Sequence, residues 1–465
     1  MIRVALPTGD LRDPVAAALD DAGVGIGPFA AGSRALRFEM AGGAAVARVF
    51  REKDIPVQVA LGNYDVGICS LTWIEELSQR FPNHRVVRLR DLGFGASALW
   101  LAAAGEHSEP SVRIVSEYAN IADAIARRAR LPRYRVFGVW GAAEAYPPED
   151  ADLALIAADD DEAVRSHGLR PLGEVLRSSA WLIANRESLA SKDLSSVLKP
   201  LLGAAAAVNA PAAALRVPEI GLRARAHETK RERLRLALPD GHAKSHTIAA
   251  LREAGISVPG YEEESIVRRL FVEGHDVDVK VIRPHDMPRH VAIGQFDLAI
   301  TGRDWLFDHL VQFPSSPVEE VVDLRRSRYG LAAIVKDVRA DSIGGAVAEW
   351  RQSAPGRAIR VASEYPNIAD HFARERHLGR YSVIPINGAS EGFVPDDADI
   401  LIEGIDTGSS VKANNLTVLE RFFESTNCVI ANKRPPEGAL RPVFDRLVER
   451  LRAGAAEPVA AGGGA

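Results

Sequence analysis

The residues with the clearest chemistry lie in one run, Asp399-Ile-Leu-Ile-Glu403-Gly-Ile-Asp406-Thr407-Gly408-Ser409-Ser410-Val411-Lys412. An apolar stretch ends in carboxylates, and a hydroxyl-rich turn then leads toward a helix. Such a turn offers backbone N–H groups at a helix start, where the dipole favours an anion. Gly408 lets the backbone approach a phosphate closely, and Lys412 adds positive charge. Glu403 and Asp406 suit ribose hydroxyls or a share of a Mg2+ shell. The composition suits a phosphorylated sugar better than a free base. The competing reading is an ordinary capped helix, because Asp, Thr and Ser are common N-caps. The loop alone does not separate the two.

The elements that must hold this loop occur twice. Arg3-Val-Ala-Leu-Pro-Thr-Gly9 returns as Arg235-Leu-Ala-Leu-Pro-Asp-Gly241, 232 positions on. The same offset carries Asp54-Ile-Pro56 onto Asp286-Met-Pro288, Gly62–Ile68 onto Gly294–Ile300, and Trp73 onto Trp305. After a 15-residue insertion the offset becomes 247, and Ser116-Glu-Tyr-Ala-Asn-Ile-Ala-Asp123 matches Ser363-Glu-Tyr-Pro-Asn-Ile-Ala-Asp370. A domain-sized period of this kind is a duplication and not a solenoid. Within each copy, strands alternate with helices. Strands are expected at 2–6, 65–69, 97–102, 113–115, 152–156 and 181–184, with helices near 13–22 and 245–254. That alternation predicts an α/β fold with mainly parallel sheets. Residues 205–232 read as a helix plus linker between the copies, and the Ala/Gly-rich tail 453–465 as disordered.

Composition narrows the function classes. The chain has 465 residues, 47% hydrophobic and 26% charged, with a net charge of −5, so no basic stripe argues for nucleic acid. No run of about 18 apolar residues argues for a membrane span. The start lacks the apolar stretch of a signal peptide, so a cytoplasmic location is expected. Cys69 and Cys428 offer neither a disulfide framework nor a metal cluster.

Taken together, these motifs resemble the short form of ATP phosphoribosyltransferase, present twice. The residues that carry the resemblance are Leu-Pro-x-Gly at each start, Arg51 and Arg283 three residues before Asp-Ile/Met-Pro, Asp91-Leu-Gly-Phe-Gly95, Tyr365-Pro-Asn367 and the 403–412 loop. The resemblance implies two tandem copies of a two-lobed unit like a type II periplasmic binding protein. The first copy would be 1–204, with lobes 1–95 plus 178–204 and 96–177. The second would be 233–452, with lobes 233–326 plus 426–452 and 327–425. It further implies Mg2+-dependent attack of ATP N1 on the ribose C1 of 5-phosphoribosyl-1-diphosphate (PRPP), the opening step of histidine biosynthesis. Glu403 and Asp406 through Lys412 would hold PRPP, Glu403 and Asp406 would share the metal, and Arg34, Arg51 and Arg283 would serve catalysis. The implied partners are a histidyl-tRNA-synthetase-like regulatory subunit or further copies of the chain.

The sequence also departs from the family pattern. In the first copy the loop positions read Ile156-Ala-Ala-Asp159-Asp-Asp161, a run of acids where phosphate would go. The opening Lys and Arg of the family are Thr8 and Asp10 in one copy and Asp240 and His242 in the other. An acid, Glu117 or Glu364, replaces a family Lys, and Ile266 stands at the counterpart of Arg34. The leading expectation is therefore one phosphoribosyl site, in the second copy. The alternative is a non-catalytic relative that binds a phosphoribosyl or anionic ligand for regulation. Trp73 and Trp305 are expected to pack the core or the lobes.

Overall fold

The computed structural model describes residues 1–24, 29, 36–104, 111–203, 214–220, 232–388, 390–406 and 408–456. Each copy builds two mixed sheets. In the first copy a six-stranded sheet runs Arg37–Met40, Ala45–Phe50, Ile2–Pro7, Val66–Ser70, Ala180–Asn185, Val86–Asp91 in spatial order. A five-stranded sheet runs Arg170–Ser178, Ser97–Ala103, Leu153–Ala158, Val112–Ser116, Tyr134–Gly138. The second copy repeats both orders: its six-stranded sheet is centred on Leu234–Pro239, its five-stranded one on Ile400–Ile405. Each sheet has a parallel trio, with antiparallel strands beside it. The expected α/β fold of tandem two-lobed units is thus present.

Local sequence explains the elements. Val4, Ala5 and Leu6 are fully buried, because the opening strand is covered on both faces. The helix Arg12–Asp21 follows and buries Val15 and Leu19. The insertion in the second copy contains the helix Ile343–Ser353, whose N-cap Ser342 accepts from the Gly345 amide at 3.3 Å.

Of the expected helix-plus-linker, 214–220 and 232 are described: 214–220 run without helix, and Arg216 donates its amide to the Val175 carbonyl at 2.8 Å. One expectation changes. The start of the expected disordered tail is ordered. The helix Arg441–Ala456 continues through it, because Gly454 lets its turn press on the Ala254 backbone: a Cβ there would lie 2.7 Å from the Ala254 nitrogen. Residues 457–465 lie outside the described residues.

The copies do not sit apart. The six-stranded lobe of each packs on the five-stranded lobe of the other. Phe50 meets Phe393 edge-to-face at 5.1 Å, and one apolar cluster joins Phe50 and Tyr64 to Ile386, Phe393 and Val394. The reciprocal cluster joins Tyr146 and Val139 to Ile282, Met287 and Phe296. Two matching contacts about a pseudo-two-fold axis are the pattern of an isologous dimer interface, here inside one chain.

Candidate functional site

The loops that follow parallel strands converge on one chamber. In open α/β sheets ligands collect outside the carboxyl ends of such strands. Here the opening strands end at Thr8-Gly9-Asp10 and Asp240-Gly241-His242, and the next parallel strands end at Arg51 and Arg283. Val112–Ser116 and Ile359–Ser363 end at Glu117 and Glu364. All of these line a single cavity of about 670 Å3 between the copies.

Its cations reach across the pseudo-two-fold. Arg51, from the first copy, lies against Gly388 of the second; a Cβ there would fall 2.8 Å from Arg51 Nε and 3.2 Å from a Glu364 oxygen. Asp54 anchors the approach by accepting from the Asn387 amide at 3.1 Å and its side-chain Nδ2 at 2.6 Å. Arg283 occupies the mirrored place beside Gly141 of the first copy, where a Cβ would lie 2.9 Å from Nε. Asp286 accepts there from the Trp140 amide at 2.9 Å. Arg51 therefore faces the lobe that carries the 403–412 loop, and Arg283 faces the lobe whose loop is acidic.

Aromatic rings wall the chamber. Trp140 lies between Lys53, whose Nζ is 4.7 Å from the ring centre, and His285, stacked at 4.0 Å. Trp73 leans on Tyr118 at 4.5 Å and Trp305 on Tyr365 at 4.3 Å, so both tryptophans pack one lobe on the other and also line the cavity. Lys53, Trp140, Glu364 as a chamber wall, and Asn387 are the site residues that motif reading missed. The available signal was the Lys two positions after Arg51, at the same strand end.

The charge balance is acidic. Arg51, Lys53 and Arg283 face Asp10, Glu52, Glu117, Asp240 and Glu364. Burial pushes the Asp54 carboxyl up to about 6 against its hydrogen bonds from Asn387. Burial also raises Glu117 and Glu364 against the pull of Lys53, and lowers the Lys53 ammonium. Arg268, close to the counterpart position of Arg34, is spent on Glu144 at 3.0 Å and Asp240 at 2.7 Å. Arg34 itself and Thr407 lie outside the described residues.

The loop folds as a turn entering a short helix, Ser409–Ala413, with Gly408 left-handed at φ 71°. In the first copy the equivalent helix, Asp161–Ser166, is capped by the chain itself: Asp160 accepts from the Ala163 amide at 2.8 Å. A fixed carboxylate thus stands where an anion would sit. Lys412 and Asp406 are exposed, and Val411 is buried. Asp406 borders a second hollow of about 520 Å3, which shares Tyr329 with the chamber. Glu403 sits behind Glu364; burial first, and then that neighbouring carboxylate, push it up to about 8. One of its oxygens, Oε2, is sealed from solvent, as suits a proton or a cation. Asp406 does not join it. Among the described residues no group of three His, Cys, Asp or Glu converges to hold a metal, so the residues present fit a cation only as partial ligands completed by a substrate.

Fold and chamber together define a duplicated α/β protein of two-lobed units, with a chamber between its two copies. The family model for ATP phosphoribosyltransferase matches residues 51–203 and 283–453, and the chain belongs to that family. Its relatives each match about one copy. The ATP phosphoribosyltransferase of Methylibium petroleiphilum is 30% identical over 229 residues, 46% of this chain and 97% of the relative. That of Geobacillus sp. is 31% identical over 224 residues, 47% and 97%. That of Methanosarcina barkeri is 29% identical over 205 residues, and the match spans only 64% of its length. Among solved structures, a chain of the ATP phosphoribosyl transferase (HisG:HisZ) complex from Thermotoga maritima aligns over 48% of this chain and 98% of its own, at 21% identity and TM-score 0.37.

Proposed function

We propose that the chain carries one phosphoribosyl-transfer site, built on the second copy's loop and completed by cations of the first copy. The observation that carries this reading is the asymmetry of the two loops. Asp160 caps its own helix in the first copy, while Gly408 presents a side-chain-free turn in the second. PRPP would place its 5-phosphate on that turn and its ribose hydroxyls near Glu403 and Asp406. Mg2+, bound by the diphosphate with Glu403 as a partial ligand, would neutralise the leaving group. Arg51 and Lys53 would add charge on the same side, and the chamber would bring ATP against the ribose. The reaction forms the bond from adenine N1 to ribose C1 and breaks the C1–O bond, with diphosphate leaving. Positioning and charge neutralisation are the chain's main tools.

A second reading has its own support. Asp10, Asp240, Glu117 and Glu364 put four carboxylates where the family pattern has Lys or Arg or their neighbours. Such a chamber favours a relative that binds a phosphoribosyl ligand without turning it over. Incubation of the purified chain with PRPP, ATP and Mg2+ distinguishes the two. Growth of phosphoribosyl-ATP absorbance supports transfer; PRPP binding with no product supports the regulatory reading and overturns the catalytic one.

A further inference from the structure

Trp140 and Asn387 are equivalent residues, 247 positions apart. Their backbones make the same contact with the opposite copy: the Trp140 amide donates to Asp286 at 2.9 Å, and the Asn387 amide to Asp54 at 3.1 Å. Their side chains diverge. Asn387 turns its Nδ2 back onto Asp54 at 2.6 Å and puts no ring into the chamber. Trp140 sends a half-buried indole inward, where it stacks on His285 at 4.0 Å. The Lys53 ammonium lies 4.7 Å from the ring centre, and the Trp305 ring meets the indole edge-on at 5.7 Å. Lys53 and His285 are themselves equivalents, 232 positions apart. A ring that touches both lies at the axis relating the two halves of the chamber, and a second ring from position 387 would need the same space. The indole also lines a smaller cavity of about 310 Å3, so it stands as a partition between two hollows.

We infer that Trp140 fills a slot shaped for a flat bicyclic base, and so closes the first copy's half of the chamber to a nucleoside while the half beside Asn387 stays open. A stacked ring and a nearby cation are the contacts a purine would use, and an indole has the same pair of fused rings. Two asymmetries then act on one half. Asp160 stands where a phosphate would sit, and Trp140 where a base would sit. The inference rests on the reading that the chamber takes ATP, and it assigns the number of bases bound to a single residue.

The test is calorimetric titration of the full chain with adenosine, which carries no phosphate and so takes the acidic loop out of the comparison. The parent should bind one adenosine. Trp140→Asn copies the residue that the second copy carries at this place, so the backbone contact with Asp286 persists, and it should bind two. Equal stoichiometry in parent and variant, or binding to neither, overturns the inference. Turnover by the parent is read separately from phosphoribosyl-ATP absorbance, so failure of the transfer reading is told apart from failure of this one. A second measurement covers an Asn variant that folds poorly. Free indole should refill the slot of Trp140→Gly and raise its thermal midpoint by about 2 °C, while leaving the parent's unmoved. A midpoint of the Gly variant indifferent to indole also overturns the inference.

Discussion

Lys280 of the second copy meets Asp150 of the first at 2.6 Å, and both side chains are buried. The contact is repeated across the pseudo-two-fold, where Arg48 of the first copy faces Asp397 of the second at 3.6 Å. Arg235 joins the first pair at 3.2 Å, and Arg3 joins the second. These two ion clusters fix how the lobes of opposite copies meet, and with them the chamber.

Removing one partner from a buried pair costs about 3–5 kcal/mol where the other charge is left uncompensated. Here Lys280 keeps Glu149 at 2.7 Å, which places Asp150→Ala at the low end of that range. Asp150→Ala should therefore lower unfolding free energy by about that amount in urea titration. The double variant Asp150→Leu with Lys280→Met should recover most of the loss. A loss below about 1 kcal/mol in the single variant would mean the cluster does not hold the interface.

Arg51 and Arg283 are sequence equivalents with different expected weights. Losing one charge-assisted contact to a departing diphosphate costs about 3 kcal/mol, or about a hundredfold in rate. Arg51→Ala should lose that much, because Arg51 faces the lobe with the intact loop. Arg283→Ala should stay within a few-fold, because it faces Gly141. The reverse order in steady-state rates would mean each copy is self-contained.

Gly408→Asp should abolish PRPP binding while the fold persists. Gly408→Asn is the control: Asn tolerates the left-handed turn and adds no charge. Calorimetry should find the Asn variant within about tenfold of the parent and the Asp variant without measurable heat. Equal affinities in the two would make the loop a helix end and nothing more.

Glu403 links stability to pH. Its carboxyl is held at about 8 in the fold, above the unfolded value of about 4.3. The stability it contributes is complete below about pH 4.3 and is lost as pH rises through about 8. Glu403→Gln, which stays neutral, should flatten the fall in urea midpoint between pH 5 and 8. An unchanged slope would show that Glu403 ionises in the fold as it does in the unfolded chain.

Much of the fold was legible because each copy repeats its strand signals. The expected strand at 97–102 is Ser97–Ala103, and that at 181–184 is Ala180–Asn185. The exchange of lobes was not legible, since periodicity reports which face is buried and not which copy buries it. One trace of it stood in the sequence: Arg48 and Lys280 are charges at buried places in the strands Ala45–Phe50 and Val277–Ile282, and a buried strand tolerates a charge only with a partner. The loop was readable from its glycine and hydroxyls. The direction in which Arg51 points was not, because it depends on Gly388 far along the chain.

The central claim is a single phosphoribosyl site in a chain that contains two copies of its unit. Calorimetric titration of the full chain with PRPP in the presence of Mg2+ tests it most directly. The account predicts a stoichiometry of one per chain. A stoichiometry of two would contradict it, because the first copy would then bind PRPP despite the Asp160 carboxylate at its helix start.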